Sequence, residues 1–120
     1  MSEKKYKWHK LADSLGEIDF ASNNIAVVDM DGKKICLGKF NDGVFAFAFK
    51  CPHAGGTLAD GYIDALGNIV CPLHRHKYSI ANGRNTSGEG YYLKHWAVEI
   101  KEEGVFVGVE ESGGLFGWLK

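Results

Sequence analysis

Proline and cysteine are both scarce in this 120-residue chain, which has two prolines, Pro52 and Pro72, and three cysteines, Cys36, Cys51 and Cys71. Three cysteines cannot form a fully paired disulfide framework. Charge of either sign is not in excess, with 14 Lys and Arg against 15 Asp and Glu for a formal net charge of −1. That balance removes the electrostatic case for nucleic acid or an anionic membrane as a partner. Long apolar runs are missing as well. No stretch approaches the roughly 18 apolar residues of a membrane-spanning helix, and the opening Met-Ser-Glu-Lys-Lys-Tyr-Lys-Trp lacks the apolar region of a signal peptide. These absences predict a soluble, cytoplasmic protein in a reducing compartment.

What remains is an ordinary globular composition, 45% hydrophobic and 24% charged. A chain of this length makes a single domain, residues 1–120, that buries roughly two-thirds of its unfolded surface in one core. Turn signals recur at Asp31-Gly32, Asn41-Asp42-Gly43, Gly67-Asn68, Asn82-Gly83 and Glu103-Gly104. The runs between them, Ile25 to Met30, Lys34 to Phe40, Val44 to Lys50, Leu93 to Lys101 and Val105 to Val109, have strand length and strand composition. The fold class is therefore all-β and mostly antiparallel. Phe45, Phe47 and Phe49 alternate with Val44, Ala46 and Ala48, and Trp96, Val98 and Ile100 repeat that period; these aromatic and apolar faces are expected to form the core. Leu11 to Phe20 predicts a helical turn, and the apolar tail from Glu110 to Lys120 is expected to pack back on the domain.

Both prolines directly follow a cysteine, in Cys51-Pro52-His53 and Cys71-Pro72-Leu73-His74. Proline fixes φ just where a side chain must be aimed. Two thiolates and two imidazoles from two turns, 17 residues apart, can hold a metal centre. An all-cysteine iron-sulfur cluster is excluded, because Cys36 alone remains and lies in a strand-like run. Structural zinc commonly pairs cysteine with cysteine on one knuckle and histidine with histidine on the other, whereas each turn here offers one of each. That division suits a binuclear centre in which one iron takes both thiolates and the other both imidazoles. A zinc-stabilised interaction module stands as the alternative.

Cys51-Pro52-His53-Ala54-Gly55-Gly56 and Cys71-Pro72-Leu73-His74 resemble the two cluster-binding boxes of Rieske-type [2Fe-2S] proteins. The resemblance implies an antiparallel β-sandwich or incomplete barrel carrying a small cluster-binding subdomain at about Lys50 to Ile80. It implies Cys51 and Cys71 on the buried iron, His53 and His74 on the outer iron, and Tyr78 as a hydrogen-bond donor to sulfur. Respiratory members of the family add a cysteine to each box to form a bracing disulfide. Here Gly56 and Leu73 stand at those places, so the chain is more similar to soluble ferredoxins of ring-hydroxylating oxygenases. The high-potential members also have a serine where this chain has His76, and the family commonly has glycine where it has Arg75. With the serine donor missing and Tyr78 present, the resemblance implies a potential low in the family range.

Function follows from the same resemblance. Two ferric ions, two sulfides and two thiolates carry no net charge, whereas four thiolates leave an excess of two negative charges, so an electron is added more easily. The implied role is a monomeric one-electron carrier, not an enzyme, between a flavin-dependent reductase and a terminal oxygenase. A second reading within redox chemistry is a small subunit like that of NADH-dependent nitrite reductase. Lys50, Arg75, His76 and Lys77 crowd basic groups around the boxes and suit an acidic docking face. Cys36 reads as a buried small residue, and His9 and His95 as ordinary histidines, with His95 on the solvent side of its strand. His76 reads as a plain exposed residue, with a spare imidazole shaping the docking surface as the alternative, and Gly55, Gly56 and Gly61 as sites of close approach by the loop.

Overall fold

A computed structural model of the chain describes residues 5–52 and 55–111. His53 and residues 112–120 lie outside the described residues, and with them the predicted role of His53 and the predicted packing of the tail. Among the described residues nine strands run in chain order: β1 (Lys5–Ala12), β2 (Ile25–Met30), β3 (Lys33–Phe40), β4 (Gly43–Ala48), β5 (Tyr62–Ile63), β6 (Asn68–Val70), β7 (Lys77–Ser79), β8 (His95–Lys101) and β9 (Gly104–Glu111). The predicted helical turn is a single 3₁₀ turn at Leu15–Glu17.

Six strands form one antiparallel sheet in the order β1-β9-β8-β4-β3-β2. Its two outer strands, β1 and β2, approach each other, so the sheet curls into an incomplete barrel. The hairpins use the turn chemistry read from the sequence. Asp31 and Gly32 have φ of +55° and +88°, and Asn41 and Asp42 have +48° and +65°, the double positive φ whose twist matches flanking antiparallel strands.

The two faces of β4 enter different cores. Ala46, with Val44 and Ala48, faces the barrel interior beside Ile35, Leu37, Trp96, Val105 and Val107. Phe47, with Phe45 and Phe49, faces the other way. There it meets a three-stranded sheet in the order β5-β6-β7, whose Ile69 and Tyr78 are fully buried together with Leu58 and Leu93. The phenylalanine face therefore forms the seam between the barrel and the small sheet. Each fully buried side chain of this size contributes about 1.5–3 kcal/mol, which holds the small sheet in place. Asn23 adds polar anchors from the barrel side, its amide donating to the carbonyls of Ala59 (2.8 Å) and Gly61 (2.9 Å).

Ile100 departs from the expected core: it is 52% exposed, because β8 pairs with β4 only at His95 and Trp96 and runs on beside β9 alone. Gly61 also has a different reason from the one expected. A Cβ there would stand 2.0 Å from the Val70 carbonyl oxygen, so this glycine lets the chain lie against strand β6.

Candidate metal centre

Both Cys-Pro segments close a hairpin-like loop, and their hydrogen bonds are equivalent position by position. In the first, Lys50 pairs with Thr57, Cys51 N–H donates to the Gly56 carbonyl (2.8 Å), and Gly55 N–H donates to the Cys51 carbonyl (2.9 Å). In the second, Val70 pairs with Lys77, Cys71 N–H donates to the His76 carbonyl (2.9 Å), and Arg75 N–H donates to the Cys71 carbonyl (3.0 Å). The fifth residue of each turn is left-handed, Gly55 at φ +70° and Arg75 at φ +59°. The glycine that the resemblance implies at position 75 thus has a steric reason, since a left-handed residue with a Cβ costs about 1–2 kcal/mol.

The turns bring the two thiols together. Cys51 is 3% exposed and Cys71 1%, and neither is in a disulfide. Burial pushes the Cys71 thiol up, and the neighbouring Cys51 sulfur pushes it further, while the main-chain N–H groups of Leu73 and His74 pull the other way. Donors aimed at a buried sulfur suit a thiolate bound to a cation. The hydroxyl of fully buried Tyr78 lies 3.3 Å from the Cys51 sulfur. Burial and then the sulfurs of Cys51 and Cys71 raise that phenol, so it stays protonated and available as a donor. Gly56 leaves space between the turns: a Cβ there would come within 2.9 Å of the Leu73 side chain and 3.3 Å of the Cys71 sulfur.

His74 is exposed on the second turn. Among the described residues no three His, Cys, Asp or Glu converge as a metal site; His53, the fourth residue of the predicted set, lies outside them. The donor chemistry that is described fits a centre with a buried thiolate side and an imidazole side at the surface. The sequence of the chain matches the Rieske [2Fe-2S] domain family over residues 8–91.

The chain belongs to that family.

Its cofactor is accordingly a Rieske-type [2Fe-2S] cluster. Among curated relatives, the ferredoxin component of the naphthalene 1,2-dioxygenase system of Pseudomonas putida is 24% identical over 75 residues, covering 62% of this chain and 71% of the relative. Two solved structures share the Rieske fold. The ferredoxin of carbazole 1,9a-dioxygenase from Nocardioides aromaticivorans IC177 aligns with a TM-score of 0.69 at 22% identity, over 88% of this chain and 97% of that one. A chain in the complex of reduced oxygenase and oxidized ferredoxin of carbazole 1,9a-dioxygenase aligns with a TM-score of 0.71 at 24% identity, over 88% and 95%.

The remaining predicted residues sort clearly in this Rieske domain. Cys36 is fully buried in β3, and burial pushes its thiol up to about 12, so it behaves as an apolar residue. His76 is 8% exposed, not an exposed histidine, because Tyr91 stacks on its ring with centroids 6.0 Å apart. Sequence reading missed the segment that does this. Nothing in the sequence singles out Asn85-Thr86-Ser87, yet Thr86 N–H donates to the Lys77 carbonyl (2.8 Å), Lys77 N–H to the Ser87 hydroxyl (2.9 Å) and the Thr86 hydroxyl to Asn68 (2.9 Å). These bonds fold the loop over the second turn.

Proposed function

We propose that this Rieske domain is a ferredoxin, a one-electron carrier that takes an electron from a flavin-dependent reductase and passes it to a terminal oxygenase, and that it is not itself an enzyme. Cys51 and Cys71 are assigned to the inner iron, His53 and His74 to the outer iron, and Tyr78 to the Cys51 sulfur as donor. When bound, the cluster supplies a single-electron couple in the range of about −150 to +300 mV.

The observation that carries the reading is the division between the two ends of the second turn, with Cys71 buried beside Cys51 and Tyr78 while His74, three residues on, is exposed. The buried side keeps water from the sulfurs. The exposed side brings an imidazole edge to the surface, where a partner can approach closely. Leu73 stands exposed next to it, and Lys50 and Arg75 add exposed cationic side chains nearby, a surface suited to an acidic docking face. Lys77 is less available, with its ammonium 3.7 Å from Asp64. Relatives whose names place them in dioxygenase systems support the same role. Residues 50–80 act as the cluster-binding subdomain of a single domain, and the carrier works as a monomer in the cytoplasm; no helix among the described residues is long and apolar enough to cross a membrane.

Anaerobic purification followed by iron, acid-labile sulfide and zinc analysis, with an EPR spectrum of the reduced protein, tests this reading. Equal iron and sulfide with a histidine-ligated [2Fe-2S] signal is the expected result. Zinc without sulfide overturns it.

A further inference from the structure

His76 sits two residues beyond His74, and the two rings are 6.0 Å apart between centroids, tilted by 42°. Tyr91 lies nearly parallel to the His76 ring, at 19°. The Nε2 edge of His76 faces Glu89, whose Oε2 is 3.9 Å away. Glu89 is placed from its other oxygen: Oε1 accepts from the Asn85 amide (3.0 Å) and from the Ser87 hydroxyl. Asn85 is itself tied down, its amide donating also to the Lys77 carbonyl (3.0 Å) and its Oδ1 accepting from Gly90 N–H (2.8 Å). One carboxylate oxygen is therefore spent on the loop and the other is turned to the histidine.

From this arrangement we infer that Glu89 is a positioning residue for the cluster: through its Oε2 it fixes the buried ring of His76, which with Tyr91 limits the movement of the His74 ring. At 3.9 Å the Oε2–Nε2 approach is of ion-pair length rather than a hydrogen bond. Partners bonded directly to a metal ligand are worth about 10–100-fold in metal retention, and Glu89, acting one residue further out through His76, is placed at the low end of that range. The need for such a brace follows from the sequence. No second cysteine pair braces the two turns beside Cys51 and Cys71, since Gly56 and Leu73 face each other there, and the second turn carries a non-glycine residue, Arg75, in the left-handed region. A loop built of Asn85, Ser87, Glu89 and Tyr91 supplies the constraint from outside. The inference rests on His74 being a ligand, as proposed above.

Glu89→Gln separates a hold on the loop from a hold on the histidine. The amide oxygen of glutamine still accepts from Asn85 and Ser87, while its NH₂ replaces the oxygen that faces His76. The expected result is a roughly tenfold faster release of the cluster to a chelator and altered ¹⁴N hyperfine couplings in pulsed EPR of the reduced protein, with thermal unfolding unchanged. Wild-type release and couplings in Glu89→Gln overturn the inference, also where Glu89→Ala releases the cluster faster, because the carboxylate then serves only the loop. Failure of the underlying reading shows separately: a His74→Ala protein that keeps the wild-type ¹⁴N couplings removes His74 from the ligand set, and this inference with it.

Discussion

The Tyr78 hydroxyl lies 3.3 Å from the Cys51 sulfur, a contact that joins strand β7 of the small sheet to the turn leaving β4 across 27 residues of chain. A proton donor on a ligand sulfur stabilises the reduced state, which carries more negative charge, over the oxidised one. Tyr78→Phe removes the donor and keeps the ring that fills the core. With a bond worth about 1 kcal/mol more to the reduced state, the potential is expected to fall by about 40 mV. Protein-film voltammetry checks this, and an unchanged potential rejects the role.

The equivalence of the two turns gives a pair of substitutions with opposite signs. Arg75 holds φ +59° and Gly55 holds φ +70°, with open space around the Gly55 Cα. Arg75→Gly relieves the left-handed strain, offset in part by the freer unfolded chain, for a gain of about 0.5–1 kcal/mol. Gly55→Ala imposes the same strain and is expected to cost about 1 kcal/mol. Thermal unfolding of the two holoproteins should move in opposite directions by a few degrees.

Asp64 caps the β5–β6 turn, accepting from Leu66 N–H (3.0 Å), Asn68 N–H (2.9 Å) and the Asn68 amide (3.2 Å). Burial opposes its ionisation, but these bonds and the nearby Lys77 outweigh burial and hold the carboxyl below its usual value. A carboxylate depressed in the folded state adds stability that is complete above its unfolded pKa near 4 and is lost as pH falls through the lower folded value. Asp64→Asn should therefore cost about 1 kcal/mol or less at pH 7, since the site is partly exposed. Denaturant titrations of both proteins from pH 7 down to the lowest pH at which the cluster is retained are expected to show this difference narrow as the pH falls.

Cys36 predicts a negative result. Fully buried and with its thiol pushed up to about 12, it has no reactive thiolate at neutral pH. Cys36→Ala should leave iron and sulfide content unchanged, and the native protein should resist alkylation at that residue until it unfolds. A loss of cluster in Cys36→Ala would place this cysteine in the site.

The strands legible in the sequence were those with two-sided signals and glycine-bearing turns. Residues 25–30 form β2 as expected, and β3, β4, β8 and β9 fall within a residue or two of their predicted bounds. Edge strand β1 escaped, because it pairs only with β9 and leaves most of its side chains in solvent. The small sheet escaped for the opposite reason. Its strands are two or three residues long, and β6 is buried at every position, so neither a period nor a length betrays them. His76 looked like one more polar residue beside Arg75 and Lys77; its burial comes from Tyr91, fifteen positions away in sequence, stacking on the ring.

By itself, the sequence determined the class of centre. Ligand type and spacing are local chemistry, and a Cys-x-His with a Cys-x-x-His limits which metal groups can be held whatever surrounds them. Only the tertiary structure decided how that centre is supported. Which phenol reaches Cys51, which carboxylate faces His76 and why Gly56 has no side chain are all contacts between segments far apart in the chain. Such contacts exist only once the phenylalanine face of β4 has been covered by the small sheet, and no local pattern encodes them.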